Sequence, residues 1–233
     1  MVPMRIFRIG FVTLILMVVF PYPGYASSTR HGVIQPLAPA VVVDSVEFDP
    51  VSIGRTWLYR APSAQRYRHR IVFWPTLATR PSQQNRRARE IRIVGGTGSE
   101  RLLSRTIIDP RAVDGVLIVT DDQSDNPSLA LAGPRILEMP RTLGADALWM
   151  TIANGVRVGA RLVGLADVKL PLGAFRDCLV VEVPLLGQRD VVATERRFYA
   201  RDVGMVLSTK ITGADVESTT LELESWGADP QPE

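Results

Sequence analysis

The chain has 233 residues, of which 46% are hydrophobic and 22% are charged, and this composition excludes a globally disordered protein. A single β-domain often reaches this length, which is enough to bury a substantial core. The formal net charge is +3. Without Arg5 and Arg8 of the predicted leader, the chain has 25 basic and 24 acidic residues, so the basic excess is slight.

The N-terminus has the layout of a secretory signal peptide. Two arginines precede an apolar run from Ile9 to Phe20, and Gly24-Tyr25-Ala26 offers small residues at the −3 and −1 positions of a cleavage point. The run is shorter than the roughly 20 residues that a membrane-spanning helix needs. We therefore expect residues 1–26 to be a cleaved signal peptide and the mature chain to be periplasmic, with no integral membrane segment. No cysteine lies near the cleavage point, which argues against lipid attachment there.

Residues 27–52 show little pattern. They contain Pro36 and Pro39, no clear periodicity, and one short candidate strand at Val41–Phe48. This composition predicts a loose lead-in before the folded part. We assign a β-domain to residues 53–226 and a disordered tail to residues 227–233.

The domain opens with two strands whose faces differ in polarity. Trp57 and Tyr59 share one face of the first strand. The second strand, Gln65–Trp74, alternates strictly, with Tyr67, His69, Ile71 and Phe73 on one side and Arg66, Arg68 and Arg70 on the other. Such period-two alternation is typical of a sheet with one wet face.

The rest of the chain continues as short runs rich in Val and aromatic residues, bounded by Gly, Pro and Asp. Asn154-Gly155 is the strongest hairpin signal. The pattern predicts about eleven strands and at most one or two short helices, one of them between Ser128 and Leu143. The fold class is therefore all-β: a curved antiparallel sheet forming a half-barrel or open barrel. The remaining predicted strands are Arg89–Val94, Arg101–Asp109, Val113–Asp121, Ala147–Ala153, Val156–Val168, Phe175–Val183, Val191–Tyr199, Val203–Lys210 and Val216–Trp226.

Arginine is unevenly distributed along the chain. Twelve arginines and only two acids, Glu90 and Glu100, lie between Arg55 and Arg105. One interpretation is a positive face at Arg66, Arg68 and Arg70 that docks a partner or an anionic surface. The other, which we favour, is a set of solvated strand faces in an arginine-biased chain.

The sequence offers no convincing catalytic or metal-binding pattern. His31 and His69 are the only histidines, and there is no G-x-S-x-G or H-E-x-x-H motif. The only cysteine, Cys178, lies in a dense apolar strand and is expected to pack in the core. The glycine-rich run 94–99 is typical of a hairpin turn rather than a phosphate loop. The acidic run 121–126 reads as a solvated turn rather than a calcium loop. We expect no catalytic residue, metal or cofactor, and export makes nucleic acid a poor candidate partner.

The motifs around the densest strands carry a resemblance. Gly173-x-Phe175-x-Asp177-Cys178-Leu179, followed by Phe198-Tyr199-Ala200 and Val203-Gly204-x-Val206, resembles a family of exported bacterial β-proteins of unknown function. Gly54-x-x-Trp57-x-Tyr59 is similar to the first strand of that family. The resemblance covers residues 53–226 and implies a fold like the Lol lipoprotein carriers, with a sheet curved around an apolar hollow. The chain departs from the family at Arg201-Asp202, where Pro-Gly is commoner.

Two functional hypotheses follow from this resemblance. The first is a non-catalytic periplasmic carrier for a lipid, a lipoprotein or another apolar ligand. The second is an envelope protein that docks another protein or an anionic surface through its arginines. They differ in whether the concave face is open or plugged by large side chains. The candidate ligand-binding residues on that face are Trp57, Tyr59, Phe73, Trp149, Phe175 and Tyr199.

Overall fold

The computed structural model describes fourteen strands and one 3-10 turn, Ser45–Glu47, and the described residues contain no α-helix. The predicted signal peptide, the acidic run after Asp121, the Asn154-Gly155 turn and the tail beyond Ala228 lie outside the described residues. The described ranges are 30–73, 87–109, 115–121, 136–153, 156–187, 190–213 and 216–228. The strands are β1 (Val43–Asp44), β2 (Arg55–Arg60), β3 (Arg66–Phe73), β4 (Arg87–Val94), β5 (Glu100–Asp109), β6 (Gly115–Asp121), β7 (Ile136–Pro140), β8 (Thr142–Leu143), β9 (Leu148–Ala153), β10 (Val156–Leu170), β11 (Gly173–Leu186), β12 (Val191–Ala200), β13 (Gly204–Thr212) and β14 (Val216–Ala228).

Twelve of these strands form one antiparallel sheet. Its order is β7-β6-β5-β4-β3-β2-β14-β13-β12-β11-β10-β9, so sequence neighbours pair throughout except where β2 meets β14. The two short strands β1 and β8 pair with each other outside it. The prediction of an all-β, curved antiparallel sheet is confirmed.

The two edges of the sheet, β7 and β9, lie side by side without a hydrogen-bonded ladder between them. Trp149 Nε1 on β9 donates to the carbonyl oxygen of Glu138 on β7 at 3.0 Å. Packing of side chains, rather than strand pairing, therefore holds this seam, and the sheet curls almost fully round while remaining open.

The strand registers align the predicted apolar faces. Tyr59 pairs with Tyr67, and Trp57 pairs with His69, so the aromatic sides of β2 and β3 face the same way. Residues directly opposite in antiparallel strands share a face. This shared face is the concave side of the sheet.

Strand β11 is buried on both faces. Leu179 and Val181 belong to one buried cluster together with Tyr199, whereas Cys178 and Val180 belong to a second cluster with Phe198. Side chains of a strand alternate between its two faces. The apolar run Cys178–Val181 therefore fits the part of β11 that is covered on both sides.

Residues 30–52, here called the N-terminal strap, contribute to both buried clusters: Ile34 packs with the cluster of Phe198, and Leu37 belongs to the cluster of Tyr199. Gln35 exchanges two backbone hydrogen bonds of 2.8 Å with Leu165 of β10. The approach is so close that a Cβ on Gly164 would lie 2.1 Å from the Gln35 carbonyl oxygen, and Gly164 has a φ of +152°. Only glycine satisfies both conditions at this position.

The second half of the strap closes one end of the curled sheet. Phe48 is buried, and the guanidinium of Arg201 lies 5.0 Å from the centre of its ring. Asp202 N donates to the Glu47 carbonyl oxygen at 2.6 Å, and Arg201 also pairs with the Glu47 carboxylate. The turn at which this chain departs from the family pattern is thus the turn that docks the strap. Residues 30–52, predicted to be a loose lead-in, are packed against the sheet.

Candidate functional site

A cavity of about 930 Å³ lies on the concave side of the sheet. Nearly all strands from β2 to β14 contribute to its wall, and the strap contributes Asp49. The lining mixes aromatic and aliphatic side chains with hydroxyl and charged ones. It consists of Asp49, Trp57, Tyr59, Ala61, Tyr67, His69, Arg89, Ile91, Leu103, Ser104, Thr106, Glu138, Thr151, Leu185, Glu195, Arg197, Tyr199, Met205, Lys210, Thr220 and Leu221.

Two aromatic side chains of β2 are fixed against the wall. Trp57 Nε1 donates to the Val203 carbonyl oxygen at 2.5 Å, and the Tyr59 hydroxyl donates to the Met205 carbonyl oxygen at 2.8 Å. Their polar ends are therefore satisfied by backbone, as buried Trp and Tyr require. Anchored in this way, the two rings line the cavity instead of filling it.

A buried ion cluster lies at the strap end of the cavity. Arg89 Nη2 donates to both carboxylate oxygens of Asp49, at 2.9 and 3.1 Å, while its Nη1 binds Glu138 Oε1. Glu138 Oε2 is buried and accepts no hydrogen bond from the described residues. Burial raises the pKa of Glu138 despite the opposing charge of Arg89. One guanidinium thus serves two carboxylates here.

A second charged pair, Arg197 and Glu195, lies on β12. Arg197 Nη2 donates to Glu195 Oε2 at 2.6 Å, and Ser208 Oγ donates to Glu195 Oε1 at 2.8 Å. Burial alone would raise the pKa of Glu195, but the charge and hydrogen bond of Arg197 lower it below its ordinary value. This carboxylate is therefore ionised and already satisfied.

Three titratable rings of the cavity, those of His69, Tyr59 and Tyr199, stay neutral. Burial lowers the pKa of His69 to about 3, and the charges of Arg89 and Arg197 act in the same direction. Burial raises the pKa of Tyr199 to about 12 and raises that of Tyr59 as well. A histidine with so low a pKa is a weak general base near neutral pH.

The sequence-predicted ligand residues separate into two groups. Trp57, Tyr59 and Tyr199 line the cavity together. Trp149 is buried at the seam between β7 and β9. Phe73 lies at the end of β3 and is 53% exposed, and Phe175 packs edge-on against Trp226 at 5.9 Å between ring centres. None of these last three lines the cavity, and the space between Trp57 and Tyr199 is open.

The three arginines predicted to share one face of β3 lie on the convex side. Arg66 Nε pairs with Glu224 at 2.8 Å, and Arg68 Nη1 pairs with Glu100 at 2.7 Å. Arg70 also has an interaction partner. The charges of Arg66 and Arg68 are therefore matched by carboxylates of β14 and β5.

Sequence reasoning missed the charged residues of the cavity. Arg89 shares the concave face of β4 with Ile91, and Arg197 shares the concave face of β12 with Tyr199. The signal in the sequence was a charged residue at a strand position that alternation assigns to the apolar, buried side. Such placements mark a buried polar network. Asp49 left no such signal, because it lies in the strap.

In the described part of the chain, no three or more His, Cys, Asp or Glu side chains come together as a metal ion would need. Nor do these residues include a helix that is long and apolar enough to cross a membrane. Cys178 is buried, and burial raises the pKa of its thiol to about 12.

Comparison with known proteins gives distant likenesses only. No family model matches the chain, and no curated protein matches it significantly. A crystal structure described as that of a candidate lipoprotein from Parabacteroides distasonis is 11% identical and covers 78% of this chain and 99% of its own, with a TM-score of 0.40. A structure described as a candidate exported protein with a YmcC-like fold, from Bacteroides fragilis, is 14% identical and covers 77% and 98%, with a TM-score of 0.38. At these values neither likeness bears on function.

Proposed function

We propose that the protein is a non-catalytic, exported carrier that binds a lipid or a similar molecule with an apolar chain in its concave cavity. The observation that carries this proposal is the open cavity of about 930 Å³. Ligand pockets of proteins typically measure about 300–1,000 Å³ and are concave and largely pre-formed. The leader at residues 1–26 supports export to the periplasm, where such a carrier would act after cleavage.

The polarity of the wall favours an amphipathic ligand over a purely apolar one. Ile91, Leu185 and Leu221 offer apolar surface, while Ser104, Thr106 and the charged pairs offer polar groups. An uncharged hydrocarbon would cover these polar groups without giving them hydrogen-bond partners, which costs free energy. A molecule with both an apolar chain and a polar head satisfies both kinds of surface.

The alternative, docking through the arginine-rich convex face, has less support. Arg66 and Arg68 are each paired with a glutamate. A partner would have to replace these existing ion pairs, so the net gain from a new anionic surface is small.

A blocked cavity tests the proposal. Leu221→Trp places a large ring in the cavity, whereas Leu172→Trp adds the same ring at an exposed turn. Native mass spectrometry after incubation with envelope lipids should show one bound lipid for the wild type and for L172W, and at least tenfold less for L221W. Absence of a bound lipid in the wild type, or equal binding by L221W, would contradict a carrier role for this cavity.

A further inference from the structure

We propose that Lys210 binds an anionic head group, so that the carried molecule is an acidic amphiphile: an apolar chain with a carboxylate or another anion at one end. This inference rests on the proposed carrier function and deepens it. It follows from the distribution of charge along the cavity wall, where Lys210 differs from the other cations.

The two arginines of the cavity are already engaged by protein carboxylates. Arg89 binds Asp49 and Glu138, and Arg197 binds Glu195. Lys210 lines the same cavity, but no carboxylate of a described residue lies within 4.0 Å of its ammonium group. Lys210 is therefore the cation of the described wall that a ligand can use without displacing an internal partner.

The neighbouring acid is shared with Arg197, so it balances the charge of Lys210 only in part. Glu195 lies directly opposite Lys210 in the β12–β13 register. Its two oxygens are occupied, one by Arg197 and the other by Ser208 Oγ. An anion supplied by a ligand would therefore meet an ammonium group with free donors, and charge-assisted hydrogen bonds are the strong ones in proteins.

Lys210 also lies at the end of the cavity that suits a ligand head group. It is two residues from the end of β13, whereas the second half of the strap docks beyond the start of β13, at Asp202. Leu221 pairs with Ser208, two residues from Lys210, and so provides apolar surface at the same level. Met205 and Lys210 are five positions apart on β13, about 17 Å at the usual rise of a strand. A medium-length chain can therefore extend inward from the head group.

The test compares two 12-carbon ligands that differ only in the head, dodecanoate and dodecanol, by isothermal titration calorimetry. We expect the wild type to bind dodecanoate about tenfold more tightly than dodecanol, in line with one charge-assisted hydrogen bond. Lys210→Met should remove this preference while leaving the affinity for dodecanol unchanged, which also shows that the variant is folded. Lys169→Met is the matched control, because Lys169 is the other lysine of the chain and is exposed on β10.

Chemical labelling gives a second measurement. Acetylation of the two lysines, read by peptide mass spectrometry, should slow at least fivefold at Lys210 when dodecanoate is bound and stay unchanged at Lys169. Equal binding of dodecanoate by wild type and K210M, or equal labelling of Lys210 with and without it, overturns the assignment of Lys210 and leaves the carrier function standing. If neither 12-carbon ligand binds the wild type, both proposals fail.

Discussion

Both faces of the sheet carry buried ion pairs between arginine and carboxylate side chains, but two of these clusters differ in composition. On the concave face, Arg89 serves Asp49 and Glu138. At Glu90 on the convex face the ratio is reversed, since this carboxylate receives hydrogen bonds from both Arg92 and Arg105. The convex carboxylate is therefore surrounded by donors, whereas the concave guanidinium is surrounded by acceptors.

The pKa values show what this difference does. Burial alone would raise the pKa of Glu90, but hydrogen bonds from Arg105 and Arg92 lower it below its ordinary value. Burial also raises the pKa of Glu138, and there the single arginine does not reverse the shift. Desolvation of buried ion pairs offsets much of their attraction. The inner cluster is therefore poorly explained by stability alone, whereas the outer pairs behave as ordinary cross-strand contacts.

The largest loss of stability is expected when Arg89 is removed from the concave cluster. Arg89→Met leaves Asp49 and Glu138 buried without a cation, and we expect it to lower the free energy of unfolding by about 3–5 kcal/mol. Urea unfolding at pH 7 measures this loss. Arg105→Met is the control on the outer face, because Glu90 keeps Arg92, and it should cost about 1 kcal/mol. Equal losses for the two variants would show that the number of cations around a carboxylate does not determine the cost of removing one.

An intermediate setting is the pair of His31 and Glu217, which joins the strap to β14. The two side chains are 3.1 Å apart, and His31 stacks on Phe198 at 4.7 Å. The hydrogen bond to Glu217 raises the pKa of His31 above 6.5. Burial opposes ionisation of Glu217, but hydrogen bonds from His31 and Thr209 lower its pKa to about 2. His31→Phe keeps the stacking and removes the charge, and should cost about 1 kcal/mol at pH 5.5.

The pH dependence of this pair has a defined sign. A raised histidine pKa contributes stability that is complete below pH 6.5 and is lost as the pH rises through the folded-state value. A lowered glutamate pKa contributes stability that is complete above pH 4.5 and is lost as the pH falls towards 2. The difference between wild type and H31F, measured by urea unfolding, should therefore be largest between pH 4.5 and 6.5. A difference that grows above pH 8 would contradict this pair as its source.

The smallest effect is expected on the exposed part of the convex face. The Arg66 side chain is 54% exposed, and its partner Glu224 also pairs with Arg60. Arg66→Gln should change the free energy of unfolding by less than about 0.5 kcal/mol. The same urea titration, repeated in 1 M NaCl, should reduce even this difference, because salt screens exposed charges. A loss above 1 kcal/mol would mean that this exposed ion pair stabilises the protein more than exposed ion pairs usually do.

Much of the sheet could be predicted because its signals are local. The Val-rich runs of β11 and β12 and the strict alternation of β3 indicate strands directly. Trp57 and Tyr59 were assigned to one face from strand geometry alone, and both line the cavity. Phe73 shares that face, but it lies at the end of β3, and a strand pattern does not say where a cavity stops.

The remaining features depend on contacts between distant parts of the chain. The strap has no periodicity because it is held by isolated bridges, such as Gln35 to Leu165, and by the Arg201-Asp202 turn. The Asp49–Arg89–Glu138 cluster joins three segments that are far apart in sequence. No local pattern of residues encodes either arrangement.

The strap also sets an order on folding. Gln35 and Glu47 precede their partners Leu165 and Asp202 by well over a hundred residues, and contacts of such long separation form slowly. Because a chain is synthesised from its N-terminus, the strap is made long before the C-terminal strands on which it docks. Asp49, which belongs to the charged end of the cavity, is carried on this strap. We therefore expect this end of the cavity to become complete only after the C-terminal strands have paired.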